Sequence, residues 1–500
     1  MNSAHYDALV IGSGFGGSMV ASRLSRAGHK TLLLERGDWA RRDAQDWDQR
    51  RILVEQRYQG STPLQVRQYG ARDFADLSVN ETVGGQSVFY GGASLRLRET
   101  DFAAWPLNYE DLEPFYAQAE MELGVHGEAG ADGCEPWRSS AYPFPSAALT
   151  PPAERIYRAG VKAGLQPFKI PLAINFRDKD RPVCIRCITC DGFPCKIEAK
   201  NDLASTVLAR AQGDGLEIMP GVVVQRLVEE GGRIVRVECL DWRQRRVFSV
   251  TADVVVVSGG AVQSPALLLR SGLGQGAGSE FMGRYLMRHC NAVVSSVFPF
   301  RTNPKQVFHK QLCFTDSYED WRQRAGTAVG VIQDIYTPAP AVIRHFSPWG
   351  LKMASGLMAP FMQNLLCIAE DEPSPENAVE LGHQEDQYGL PRVQVRHEYS
   401  RADYQRRDHL VRQAKRVLRR AGGLLSHVYP INSFSHAVGS LRFGRSPAEG
   451  ALDMQCRLWD VDNLYVVDGS FMPTSGGVNP SLTIAANALR VAEHIAGGGR

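Results

Sequence analysis

The stretch YDALVIGSGFGGSMVASRLSRAGHKTLLLERG, residues 6–37, restricts this chain more than any other part of it. Residues 7–11 read as a buried strand, and Gly12, Gly14 and Gly17 then form G-x-G-x-x-G. The first glycine permits a tight turn, the second lets a pyrophosphate approach the backbone, and the third lets helix and strand pack closely. Met19, Val20 and Leu24 mark the inner face of a helix that Gly28 ends, and residues 31–34 form a second strand. Glu35 follows, 18 residues after Gly17, where a carboxylate accepts both hydroxyls of a ribose. This unit predicts a parallel α/β sheet and a dinucleotide ligand. Glu35 disfavours a 2′-phosphate, which leaves FAD or NAD rather than NADP. The motif alone does not separate those two.

The bulk numbers narrow the remaining choices. A chain of 500 residues suggests about two to four domains. Apolar residues make up 44% and charged residues 22%, as in an ordinary globular protein. The net charge of +2 argues against a general electrostatic grip on nucleic acid or on anionic membrane. No apolar run approaches the ~18 residues that span a bilayer. The N-terminus shows no basic stretch followed by an apolar one, so the expected location is cytoplasmic. The ten cysteines fit that location if they stay reduced or hold a metal.

Three further stretches carry a family resemblance. VGGQSVFYGGASLRLRETDF spans residues 83–102, GGAVQSPALLLRSG spans 259–272, and NLYVVDGSFMPTSGGVNPSLTIAANALRVA spans 463–492. Together with the first motif they resemble the glucose–methanol–choline (GMC) oxidoreductases, FAD enzymes that oxidise alcohols. The second stretch matches a family signature at Gly260, Ser264, Pro265, Leu267, Leu268, Ser271 and Gly272. The likeness runs from Asp7 to about Ile495 and thins over residues 103–180 and 290–430.

The resemblance implies an α/β plus α+β fold. A discontinuous Rossmann-like FAD-binding domain is expected from residues 1–100, 181–285 and 440–500. An antiparallel-sheet substrate-binding domain is expected from residues 101–180 and 286–439, with a strand pair and a long helix within 369–422. It also implies the flavin contacts. Gly12, Gly14 and Gly17 would face the pyrophosphate, with Phe15 beside them, and Glu35 and Arg36 would meet the adenosine ribose. Val224 would meet the adenine through its backbone. Gly84, Gly85 and Ser87 would run beside the isoalloxazine, while Gly259, Asp468 and Gly469 would hold the ribityl and pyrophosphate region. Some relatives attach FAD covalently through a His in the Gly-Gly-x-Ser segment. The matching position here is Phe89, which implies non-covalent FAD.

GGVNPSLTIAANALRVAEHIAGG, residues 476–498, reads as a helix with Asn479 at the cap and Pro480 at the first helical position. Leu482, Ala485, Ala486, Leu489, Ala492 and Ile495 form its apolar stripe. In the family this helix points its positive end, here Asn479, Pro480 and Ser481, at the flavin, where negative charge builds up. Its Asn is one of two residues that bracket the substrate hydroxyl. The other is expected to be His436, in FSHAVGSLRFG, 43 residues earlier. An imidazole takes a hydroxyl proton at neutral pH because its pKa lies close by. Asn479 would orient the alkoxide. His289 matches a family position that is commonly His, read here as structural.

CIRCITCDGFPC places Cys184, Cys187, Cys190 and Cys195 within 12 residues. The spacing approaches a bacterial ferredoxin run, with a longer last gap. Three readings stand: an iron–sulfur cluster, zinc, or structural thiols that are reduced or disulfide-paired. Arg186 and Lys196 would offset the charge of thiolates.

The expected activity is FAD-dependent oxidation of a small-molecule alcohol to a carbonyl, with O2 or a redox partner as electron acceptor. Several stretches resemble most the compact bacterial family members that act on sugars, the aminoglycoside-pathway oxidases and the pyranose oxidases. A sugar, glycoside or cyclitol hydroxyl is therefore the favoured substrate. The rivals are an iron–sulfur flavodehydrogenase and, from another class, a protein that binds FAD without redox turnover.

Overall fold

The computed structural model describes residues 5–68, 73–308, 310–431 and 433–498. The strand His5–Ile11 lies between two parallel neighbours, Thr31–Glu35 and Arg246–Val257. Its apolar run is buried from Ala8 onward, the pattern of a strand covered on both faces. Glu217–Pro220 extends the sheet on one side and Leu464–Val466 on the other, both parallel. Helix α1 (Phe15–Arg26) makes the crossover from the first strand to the second. The close packing comes from glycine. A Cβ on Gly12 would stand 2.3 Å from the Ser258 oxygen, and one on Gly17 would stand 1.9 Å from the Gly12 oxygen. The Arg246–Val257 strand outruns the parallel sheet, and its first half pairs antiparallel with Arg233–Asp241, which returns to Val222–Glu230. Helix α2 (Gly260–Arg270) follows directly.

A second sheet has six antiparallel strands. Their order is Leu425–Pro430, Cys290–Val297, Met362–Ala369, Val331–Ile335, Leu312–Phe314 and Phe168–Lys169. Its two faces are read from period-2 alternation. Leu366 and Ile368 join the core shared with the first sheet, while Leu365, Cys367 and Ala369 join a separate core under helix α3 (Arg401–Arg420). That helix buries Leu410, Val411, Ala414, Val417 and Leu418, a one-sided stripe, and starts at a capping box between Ser400 and Asp403. The expected strand pair within 369–422 is Ala378–Glu385 with Pro391–His397. It is not built into the six-stranded sheet. It joins Leu64–Gln68 and Ala75–Leu77 in a four-stranded sheet of its own.

Helix α4 (Ser481–Ala496) packs on α1 and on the helix Tyr109–Glu122. It begins one residue later than the sequence suggests. Pro480 occupies the cap, and no side chain caps the helix. The Asn479 amide does not cap because its hydrogen bonds are made elsewhere, as shown below. The burial is also wider than a stripe, since Thr483, Asn487, Ala488 and Val491 are buried as well. Among the described residues no helix is long and apolar enough to cross a membrane.

Candidate active site

A cavity of about 590 Å³ lies between the two sheets. Val224, Glu35 and Arg270 line it, as do Gly12, Ser13 and Gly14 on the turn into α1, and His436 and Asn479. The start of α1 suits an anionic ligand. The helix has no side-chain cap and no acidic residue in its first turn, and Gly14, Phe15 and Gly16 stand on the cavity wall. A Cβ on Gly14 would meet nothing within 4 Å, so the space in front of it is open. The wall therefore suits a dinucleotide, since it offers both a carboxylate and an uncapped helix start.

The expected cofactor residues fall into two groups. Gly12, Gly14, Phe15, Glu35, Arg36, Gly85, Val224, Gly259, Asp468, Gly469, Asn479, Pro480 and Ser481 line the cavity. Gly17, Gly84 and Ser87 are not on its wall and hold it from behind. The N–H of Gly17 donates to Ser258 Oγ at 2.7 Å, that of Gly84 donates to Ser13 Oγ at 2.8 Å, and Ser87 Oγ accepts from Leu203 N–H at 3.0 Å. Several lining groups also carry structural duties. Glu35 accepts from Ser13 N–H at 3.0 Å and from Gly37 N–H at 2.8 Å. Arg36 pairs with Glu81 at 2.6 Å. The Val224 oxygen accepts from the Arg270 guanidinium at 2.7 Å, and burial holds Arg270 down at about 10. The Asp468 carboxylate accepts from Gly260 N–H and Ser470 N–H, both at 2.9 Å, and so ties α2 to the loop before Gly469. Burial raises its pKa. Phe89 stands on the wall, where His436 is the one histidine and no cysteine appears among the described residues.

At the far end two loops bring His436 and Asn479 together. Asn479 Nδ2 lies 3.4 Å from His436 Nε2, and Gln333 Nε2 donates to Asn479 Oδ1 at 2.7 Å. His289 Nδ1 lies 2.9 Å from His436 Nδ1. His289 Nε2 lies 3.2 Å and 2.9 Å from the carbonyl oxygens of Ser475 and Gly476. Burial first, then the neighbouring His289 and Lys310, push the His436 pKa well below 6.5. Burial also lowers that of His289. Both rings are therefore neutral at neutral pH.

Sequence reasoning missed three residues here. His289, read as structural, touches His436 directly. Lys310 and Gln333 were not singled out at all. The one signal for Gln333 is a polar pair, Gln333 and Asp334, inside an otherwise apolar strand, VGVIQDIY.

The four clustered cysteines show no gathered ligand set. Among the described residues no group of three or more His, Cys, Asp or Glu side chains is gathered so as to hold a metal ion. All four thiols are free. Burial pushes Cys184 up to about 11 and raises Cys190 well above its ordinary value. Three nearby cations also serve other groups. Lys200 donates to the Phe193 and Cys190 oxygens at 2.7 and 3.2 Å, Arg42 donates to the Cys195 oxygen at 2.9 Å, and Lys196 stands over the Trp47 ring at 4.5 Å. The segment is fastened through its backbone, and among the described residues no gathered ligand set supports the iron–sulfur or zinc reading.

Comparison with known proteins agrees with this geometry. Family models described as GMC oxidoreductase match residues 6–291 and 373–488. The chain is 32% identical to paromamine 6′-oxidase of Streptomyces fradiae, over 98% of this chain and 91% of that protein. It is equally 32% identical to 6‴-hydroxyparomomycin C oxidase of Streptomyces lividus, with the same coverage. Among solved structures, pyridoxine 4-oxidase from Mesorbium loti superposes with a TM-score of 0.71 over 98% of both chains at 21% identity, a likeness of fold.

Proposed function

Because this chain belongs to the GMC oxidoreductase family and is an FAD-dependent oxidoreductase of CH–OH groups, we propose that His436 is its catalytic base and that Asn479 hydrogen-bonds the substrate oxygen. One observation carries this reading. His436 Nε2 and Asn479 Nδ2 face each other at 3.4 Å on the cavity wall. A hydroxyl set between them would give its proton to His436 Nε2 and keep its oxygen on Asn479 Nδ2. Bound FAD supplies the hydride acceptor. The protein's part is to hold the hydroxyl, take its proton and stabilise the negative oxygen while the C–H bond opens. The uncapped start of α4, with Pro480 and Ser481 on the cavity wall, adds a positive dipole end.

Glu35, Arg36, Val224, Gly12, Gly14 and Phe15 are the proposed adenosine and pyrophosphate contacts, and Gly85, Gly259, Asp468, Gly469, Pro480 and Ser481 the proposed flavin-side contacts. Gly17, Gly84 and Ser87 support them from behind. The FAD is proposed to be non-covalent, since Phe89 occupies the position where some relatives attach it. Residues 1–100, 181–285 and 440–500 are the proposed cofactor-binding domain, and 101–180 with 286–439 the substrate-binding domain. The six-stranded sheet, drawn from residues 168–430, supports that division. The small four-stranded sheet crosses it.

The proposed substrate is a sugar, glycoside or cyclitol hydroxyl, favoured by the names of the two relatives at 32% identity. Both are named oxidases, which favours O2 over a redox partner as the acceptor. The test is His436→Ala followed by anaerobic flavin reduction with a panel of amino sugars and glycosides. The expected result is a loss of ~10² or more in the reduction rate with FAD still bound. Unchanged reduction would remove His436 from the chemistry.

A further inference from the structure

We propose that Lys310 and Gln333 are positioning residues, which fix the polarity of Asn479 and His436 through a hydrogen-bond chain running one way across the site. The proposal rests on His436 being the base. Its support is that the chain has two ends of opposite, unambiguous character.

One end is Lys310, buried beside the cavity, with its ammonium 2.7 Å from Asp191 and 3.2 Å from Gln333 Oε1. An ammonium only donates. The group it meets on Gln333 is therefore the oxygen, and the Gln333 NH2 is turned the other way. That NH2 donates to Asn479 Oδ1 at 2.7 Å. Asn479 is then left with its own NH2 toward His436 Nε2.

The other end is the pair of carbonyl oxygens of Ser475 and Gly476, which only accept. The His289 nitrogen facing them, Nε2, must carry its hydrogen. In a neutral ring His289 Nδ1 is then a bare lone pair, so the His436 nitrogen 2.9 Å away must be the donor. That leaves His436 Nε2 without a hydrogen. The two arguments start from opposite ends and share no assumption about the contact between them. They meet at Asn479 and His436 with a donor facing a lone pair. Every link has one polarity, and it is the polarity a base needs.

The sheet holds the upstream half in place. Gln333 is fully buried on the strand Val331–Ile335 and sits opposite Cys313. The next residue, Asp334, accepts from the N–H groups of Gln311 and Leu312 at 2.8 Å each. This pins the segment that carries Lys310 against the strand that carries Gln333.

The experiment is anaerobic stopped-flow reduction of the FAD-loaded enzyme, separating the limiting reduction rate from substrate Kd. Gln333→Leu removes the donor to Asn479, and Gln333→Glu keeps the shape but offers only acceptors while ionised beside Lys310. Both are expected to slow reduction by about tenfold or more, with substrate Kd and FAD content nearly unchanged. In an Asn479→Ala background the Gln333 substitutions should add no further slowing, because a residue acting only through Asn479 has nothing left to act on. Two results would overturn the proposal: wild-type reduction rates in both Gln333 variants, or slowing that persists undiminished without Asn479. Failure of the underlying reading looks different, since reduction would then survive His436→Ala itself.

Discussion

The rings of His289 and His436 stand at 90° to each other, with their Nδ1 atoms 2.9 Å apart, and the hydrogen placement on His289 sets that on His436. His289 spends its Nε2 hydrogen on two backbone carbonyls, so it has only a lone pair to offer His436. Replacing His289 with Leu would remove that acceptor and free the His436 ring to turn or change tautomer. The reduction rate is expected to fall by about tenfold, the scale of one lost hydrogen bond at a reacting group. His289→Gln can again present an acceptor and should recover most of it. Equal loss in both variants would mean that His289 serves packing alone.

The same contacts set the pH dependence. Burial, His289 and Lys310 hold the His436 pKa well below 6.5, and Asp191 keeps the Lys310 charge paired. The base works only when neutral, so acid inhibits by protonating it. Flavin reduction should stay level from neutral pH through 6.5 and fall only at more acidic pH. An acid limb centred at 6.5 or above, read from the limiting reduction rate, would contradict this electrostatic picture.

Two glycines of one motif should fail in different ways. A methyl on Gly14 projects into the open cavity, and the backbone there is extended at φ −68° and ψ −168°, which alanine adopts freely. Gly14→Ala should leave the melting temperature of the cofactor-free protein unchanged and weaken FAD binding. A methyl on Gly17 would stand 1.9 Å from the Gly12 carbonyl oxygen. Gly17→Ala should destabilise the cofactor-free fold by roughly 1–3 kcal/mol, the cost of overpacking. Calorimetry of the two proteins without FAD, followed by FAD titration, separates the cases.

That contrast shows how far the sequence could be read. The spacing of Gly12, Gly14 and Gly17 gave the turn between strand and helix, because that turn is local and each glycine answers a steric need within a few residues. Which glycine faces the ligand depends on Ser258 and the Gly12 carbonyl, and so on the neighbouring strand. His436 and Asn479 were legible because each sits in a short motif of its own. Gln333 and Lys310 were not, since they reach Asn479 only through the register of an antiparallel sheet that no local pattern encodes. The start of α4 was misread for a related reason. Asn-Pro is a good local start signal, but the Asn479 amide is claimed by Gln333 and His436. The cysteine spacing allowed three readings, and spacing alone does not say whether four nearby thiols are gathered as ligands.

Glu370 gives a stability signature away from the site. Burial, and then the nearby Asp101, push its pKa up to about 8, while Arg322 and Arg406 partly offset them. Its folded pKa lies above the ordinary 4.5, so the folded state holds a proton that the unfolded chain has already released. By linkage the contribution of Glu370 is full below pH 4.5, declines as pH rises, and is lost through pH 8. Glu370→Gln removes the titration. The melting temperature of the variant relative to wild type should rise across that window and level off above it. A difference that does not change between pH 5 and 9 would show that Glu370 does not titrate there.

The absorption spectrum of the purified protein tests the cofactor and the cysteines together. With FAD held as proposed by Glu35, the start of α1 and the loop at Asp468, and with Phe89 where some relatives attach it, no covalent tether is expected. The FAD bands should therefore pass into the supernatant on acid precipitation. Flavin that stays with the pellet would require an attachment on some other residue. The cysteines add a separate expectation. Cys184 and Cys190 are half-buried with raised pKa values, and Lys200, Arg42 and Lys196 nearby are engaged with backbone oxygens and with Trp47. The spectrum should then be that of flavin alone, with zinc well below stoichiometric by elemental analysis. A broad brown absorbance beneath the flavin bands would mean that the four thiols rearrange around iron. Electrons would in that case leave through residues 184–195, and O2 would lose its place as the first acceptor to consider.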